Sequence, residues 1–203
     1  MPISHLWFRV ARAVAELSKD CRGVAATEFV MIVPLMMVMF FGVVEFSSGV
    51  AVDRKVTLVA RTLSDLTSQS TTVTDTDLSN FFAASIGIMT PYSASPTQST
   101  ITELYVDPTT HQARVQWSKA STFNSSGNVV LGTSPHSPGD IVTVPTALKV
   151  DGTYLIWSEV SYKYVPAVGY VMAKTGVTLS DLTYTRPRQS ACVLYQTASC
   201  TTL

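Results

Sequence analysis

Phe29 to Val44 reads FVMIVPLMMVMFFGVV, sixteen residues without a charge. Glu28 and Glu45 bracket this run, and they are the only carboxylates in the 29 residues from Val24 to Val52. A helix needs about 20 mainly apolar residues to cross a hydrocarbon core of ~30 Å. The two carboxylates are seventeen positions apart, roughly 25 Å at the helical rise. Each therefore lies near one interface and not at the midplane, where a charge is most costly. The run is apolar on every side, unlike the amphipathic helix of a soluble core. It reads as one membrane-spanning helix. Pro34 removes a helical hydrogen bond in mid-span, a kink that membranes tolerate, and Gly42 allows close helix packing. Glu45 reads as marking the outer interface, either as a solvated headgroup-level residue or in a packing role.

Upstream of the span stand Arg9, Arg12, Lys19 and Arg22 against Glu16 and Asp20, whereas Asp53, Arg54 and Lys55 beyond it nearly cancel. Basic residues stay on the cytoplasmic side, so the N-terminus is expected inside and the C-terminal part exported. A secretory signal would need small residues after the apolar run. Ser47-Ser48-Gly49 offers them, and the mature chain would then start at Val50. Cys21 follows Ser18-Lys19-Asp20, which does not suit a lipoprotein signal. A third kind of signal is cut before the apolar run.

The residues that point to this third kind are Arg22-Gly23-Val24-Ala25-Ala26-Thr27-Glu28-Phe29, then Pro34, then Phe41-Gly42-Val43-Val44-Glu45-Phe46. This stretch resembles the TadE/TadG-type pilus assembly family of the Flp, or tight-adherence, system of bacteria. Arg61-Thr62-Leu63-Ser64-Asp65-Leu66 and Tyr184-Thr185-Arg186-Pro187-Arg188-Gln189 look like such proteins as well. The resemblance implies cleavage by a prepilin peptidase between Gly23 and Val24. Glycine suits such a site because it lets another backbone approach closely. It also implies an assembly role for Glu28 and Phe29, with the Glu28 carboxylate meeting the new α-amine of a neighbouring subunit. An unpaired carboxylate is expensive in hydrocarbon, so such pairing would favour one axial register. The plainer reading of Glu28 is a headgroup-level residue favouring the helix N-terminus. Loss of residues 1–23 would leave ten basic and twelve acidic side chains.

Outward from the span, Val52, Val56, Val59, Leu63 and Leu66 recur at spacings of 4, 3, 4 and 3. That is a helical stripe, and it extends the helix to about Thr67. Residues 68–77 (SQSTTVTDTD) read as a loop, followed by a short helix over Asp77 to Ile86 with Thr76 or Asp77 as its cap, ended by Pro91 and Pro96. The period then changes. Ile101–Val106 and Ala113–Trp117 read as a hairpin around Asp107-Pro108. Asn124–Asp140 reads as a Gly/Ser/Pro-rich loop, and Ile141–Val144 as a strand ended by Pro145. Thr153–Val165 (TYLIWSEVSYKYV) carries the strongest strand signal. Val168–Ala173 reads as a strand or short helix and Val177–Tyr184 as a last strand. The expected fold class is α+β: a long N-terminal transmembrane and amphipathic helix followed by an antiparallel sheet of four to six strands. The expected organisation is a leader over 1–23, the helix over 24–67 and an exported domain over 68–203.

Charged residues are 14% of the chain and hydrophobic ones 46%, against about 25% charged in a soluble domain; a disordered chain shows the reverse bias. Fourteen basic and fourteen acidic residues cancel, which argues against a nucleic-acid partner. Three cysteines without a Cys-x-x-Cys pair exclude a zinc ribbon. In an exported domain Cys192 and Cys200 are candidates for a disulfide. His5, His111 and His136 are scattered, no catalytic or phosphate-binding motif appears, and Asp75 and Asp77 read as solvated loop residues. Arg186 and Arg188 suit an anion or a partner's carboxylate as well as a solvated edge. The sequence therefore points to a non-enzymatic protein without cofactor or metal. Its expected place is the bacterial inner membrane, with a periplasmic domain and a possible place in a pilus. The expected partners are the membrane, a prepilin peptidase, pilin or pseudopilin subunits and the pilus assembly platform. The alternative is a membrane-tethered or secreted ligand-binding module unrelated to pili.

Overall fold

A computed structural model describes residues 23–166 and 175–196 together with Glu16 and Cys200. The leader residues with its four basic groups, and the expected element at Val168–Ala173, lie outside the described residues. The chain divides into two compact units, Met1–Glu45 and Phe46–Leu203. Helix α1, Val24–Ser68, contains Pro34. In the first unit its side chains are exposed almost throughout, Phe29, Leu35 and Met36 at 63–66%. This is the one helix among the described residues long and apolar enough to cross a membrane.

In the second unit the predicted stripe is the core face of α1. Val52, Val56, Val59 and Leu63 are fully buried, joined by Ala60, and Leu66 is half-buried. After α1 come β1 (Thr72–Val73), α2 (Asp75–Ile86), β2 (Thr97–Val106), β3 (Ala113–Phe123), β4 (Val129–Gly132), β5 (Ile141–Val142), β6 (Tyr154–Tyr164), β7 (Val177–Thr185) and β8 (Leu194–Tyr195). A six-stranded antiparallel sheet runs β4-β3-β2-β6-β7, with β5 added to β3. The α+β class with a long N-terminal helix and an antiparallel sheet is therefore the observed one.

Several expectations are corrected. Residues 68–77 are not all loop: Thr72–Val73 pairs in parallel with Leu194–Tyr195, a contact between residues over a hundred positions apart that no local pattern signals. Helix α2 starts at Asp75 and its cap is Thr74. The Thr74 hydroxyl accepts the Asp77 amide while the Asp77 carboxylate accepts the Thr74 amide, a reciprocal capping box. The helix gives way at Gly87 to a 3₁₀ turn, whose carbonyl groups at Ile88, and at Thr90 beyond it, accept Lys55 Nζ at 2.7 and 2.8 Å. Within the Asn124–Asp140 loop, β4 pairs with β3, and the Ile141–Val144 strand shortens to two residues.

Two layers of core sit on the two faces of the sheet. On the face towards α1, Ile101, Ile156 and Val160 join the α1 stripe, Leu78, Phe82 and Met89. The Ser158 hydroxyl donates to the Ala60 carbonyl at 2.6 Å. On the opposite face Leu104, Val106, Val115, Leu155 and Trp157 pack with Val144. A bulge decides how β3 feeds both layers. Glu103 faces Trp117 while Leu104 faces Val115, so Gln116 is the extra residue. Strict alternation would send 115 and 117 to the same face. The bulge separates them and turns Trp117 towards the α1 side.

Candidate functional site

The helix terminus is built from very few interactions. α1 begins at Val24, directly after Gly23, and the Thr27 hydroxyl donates back to the Val24 carbonyl at 2.8 Å. Among the described residues, and leaving aside its chain neighbours, no atom lies within 4 Å of where a Gly23 side chain would stand. Glu28 is exposed and Phe29 is 66% exposed. Glu28 lies beyond the first turn, which carries no acidic residue, and a helix dipole acts mainly within that turn. Gly42 is half-exposed, and Glu45 is 3% exposed. The predicted helix residues thus fall on one element, with Gly23, Val24, Glu28 and Phe29 at its start.

A second constellation, in the sheet domain, was not legible in the sequence. The C-terminal segment crosses the α1 face of the sheet as a strap. The Arg188 amide donates to the Ser68 carbonyl at 2.8 Å and its guanidinium meets Asp65 at 2.5 Å. Val193 is fully buried; its amide donates to Glu103 Oε1 at 2.5 Å, and its carbonyl accepts Trp117 Nε1 at 2.8 Å. Tyr195 donates to Asp75 at 2.7 Å, and Lys119 sits 3.3 Å from Asp75 and over the Tyr195 ring. The Tyr195 hydroxyl and the Lys119 charge hold Asp75 below the ordinary carboxylate range. Burial pushes Glu103 up to about 8, against the opposing hydrogen bonds from Val193 and Trp117. Asp75 and Asp77 are thus structural anchors of α2, and Arg186 and Arg188 are both exposed, with Arg188 paired to Asp65. The Cα atoms of Cys192 and Cys200 stand 6.2 Å apart, within the span that a disulfide bridges. Among the described residues no group of three or more His, Cys, Asp or Glu side chains could hold a metal ion.

The outer face of the sheet carries a third arrangement. His136 Nε2 lies 2.7 Å from Glu159 Oε2, its ring packs on Trp157 at 4.7 Å, and Trp157 stacks on Tyr184 at 5.9 Å. Alternation along β6 could have put Trp157, Glu159 and Ser161 on one face. Nothing in the sequence could have brought His136 to them.

Residues 23–63 match the model of the TadE-like protein family. The TadE-like match opens on Gly23, one residue before α1, and closes on Leu63, before the first strand. Neither a curated protein nor a solved structure matches the chain. TadE-like proteins are structural and not enzymatic, and the match together with the apolar helix supports a membrane-anchored component of pilus assembly.

Proposed function

We propose that the chain is a pseudopilin or minor pilin of a Flp-type pilus, a structural subunit that helps build or decorate the filament for surface attachment. The observation that carries this reading is the coincidence of three boundaries: the TadE-like match starts at Gly23, α1 starts at Val24, and Glu28 stands exposed at the fifth helical residue. A prepilin peptidase cuts between Gly23 and Val24. The new α-amine then starts the helix, and Glu28 of one subunit is neutralised by the amine of the next. The basic leader keeps the N-terminus in the cytoplasm, α1 anchors the chain in the inner membrane, and the sheet domain stands in the periplasm, where Cys192 and Cys200 stay oxidised.

Mass spectrometry of the membrane-extracted chain, produced with and without a prepilin peptidase, tests this. The expected product with the enzyme starts at Val24. Retention of residues 1–23 would sink the proposal, and a start at Val50 would make the chain a secreted module. Glu28→Ala is expected to insert in the membrane normally and to be depleted from pull-downs of pilus subunits; equal recovery would remove Glu28 from assembly.

A further inference from the structure

The outer face of the sheet is only half covered. The segment over residues 133–150 folds across Leu104, Val115, Leu155 and Trp157 and stops at Pro135. Beyond it lies an open groove of about 420 Å³ whose floor is Gln98, Thr100, Glu159, Ser161 and Ser180, with Pro135 and Leu182 at its edges. We infer that this groove binds a neutral saccharide through its side chains. The inference rests on the sheet domain alone and does not depend on cleavage or on a pilus.

Four features select that ligand class. First, the lining holds hydroxyls, one amide and the two carboxylates of Glu159 and Asp181, and no Lys or Arg. An anionic ligand would find no counter-charge there. Asp181 borders the groove but turns its Oδ1 to the adjacent Leu182 amide at 2.8 Å. Second, Pro135 and Leu182 are the only apolar side chains at the rim besides Val160. Val160 belongs to the core on the other face. Two small apolar contacts suit the C–H face of a sugar ring and are too little for a lipid or an apolar helix. Third, the two central floor strands, β2 and β6, are paired on both sides, Gln98 to Thr122 and Ser161, and Ser161 to Ser180, while β7 is the last strand of the sheet. The backbone of β2 and β6 cannot receive an added peptide strand, so recognition over them runs through side chains. Fourth, the groove is pre-formed. His136 fixes the Glu159 carboxylate at 2.7 Å and is itself held by the Trp157 ring, which stacks on Tyr184. The Thr102, Ser118 and Ser134 hydroxyls form a chain of 2.6 Å hydrogen bonds that pins the covering segment beside it. A site ordered in advance loses less freedom on binding. The side chains of Gln98, Thr100, Ser161 and Ser180 make no hydrogen bond to other described residues and are available to a polyol.

The test is titration of the detergent-solubilised full chain with maltotriose, cellotriose and N,N′-diacetylchitobiose, followed by amide chemical-shift changes. Spermidine and sialyllactose serve as cationic and anionic probes. The expected result is binding of at least one neutral sugar with Kd on the order of 1 mM, with shifts confined to residues around 98–100, 159–161 and 180–182. Glu159→Ala is expected to weaken it by about tenfold, the loss of a hydrogen bond to a charged group. Because Glu159→Ala also frees His136, Gln98→Ala provides an independent variant on the floor, expected to weaken binding by about threefold to tenfold. Unchanged melting temperatures confirm that both variants fold. The inference is overturned if no neutral sugar shifts these amides, if spermidine or sialyllactose binds there more tightly, or if both variants bind as wild type.

Discussion

Helix α1 is one element with two kinds of surface. Residues 24–45 expose Phe29, Met31, Leu35, Met39 and Phe40 at 63–80%, whereas residues 46–68 bury Val52, Val56, Val59, Ala60 and Leu63 at 0–1%. Both stretches are helical and rich in apolar residues, so propensity does not separate them. The distribution of polar residues does. The second stretch interrupts its apolar residues with Asp53, Arg54, Arg61 and Asp65 on other faces, and one stripe remains to seek the sheet. The first has no polar face, so no single side of it can be turned to a protein core. Its surroundings must be apolar all round, as a bilayer is.

The sharpest way to break this comparison is to truncate one leucine on each side. Leu63→Ala opens a cavity in the α1–sheet core and is expected to destabilise the sheet domain by about 2–5 kcal/mol. Leu35→Ala should shift its unfolding by less than about 0.5 kcal/mol. Chemical denaturation in detergent, followed by tryptophan fluorescence, measures both. Similar losses would mean that the two stretches are not distinct. Next comes the strap. The Cys192–Cys200 link closes a short loop, and its reduction is expected to cost roughly 2–3 kcal/mol, read as a lower melting temperature in reductant. A chain that melts identically and gains two hydrogens in mass on reduction would show the link to be energetically idle.

Glu103 sharpens the contrast further, because it is a carboxyl held in the core of the second unit. Folding keeps on Glu103 a proton that the unfolded chain gives up near 4.5 and the folded one near 8. Its contribution is therefore complete below about 4.5 and declines as pH rises through 8. Glu103→Gln keeps an acceptor for the Val193 amide and is expected to flatten that decline, making the variant more stable than wild type at pH 9 by about 1–3 kcal/mol. Parallel stability–pH curves would reject this. The smallest effect is expected at Arg188, whose bridge to Asp65 is half-exposed. Arg188→Ala should cost less than about 1 kcal/mol, mostly removed by 1 M salt in the wild type.

The residues that could be read from the sequence are those whose role depends on near neighbours. The apolar run, the stripe from Val52 to Leu66 and the strand signals at Ile101–Val106 and Thr153–Val165 each announce themselves within a dozen or so residues, although the first strand in fact begins at Thr97. The short motif from Gly23 to Phe29, which lies within the TadE-like match, announces itself as well. The Thr74 capping box was missed by two residues because Thr74, Thr76 and Asp77 are all competent caps, and packing of Leu78 and Phe82 against the core decided between them. Glu103 looked like any polar residue in a half-exposed strand. The Gln116 bulge and the strap over Val193 turned it into a buried one.

By itself the sequence determined a helix that water cannot solvate on any side and the sheet that follows, because burial and periodicity are properties of contiguous residues. Only the tertiary structure decided which distant groups meet: Asp65 with Arg188, Asp75 with Tyr195, Glu103 with Val193 and Glu159 with His136. Those pairs join residues 23 to 123 positions apart, and their geometry exists only once the sheet has fixed its register and the chain end has closed over it.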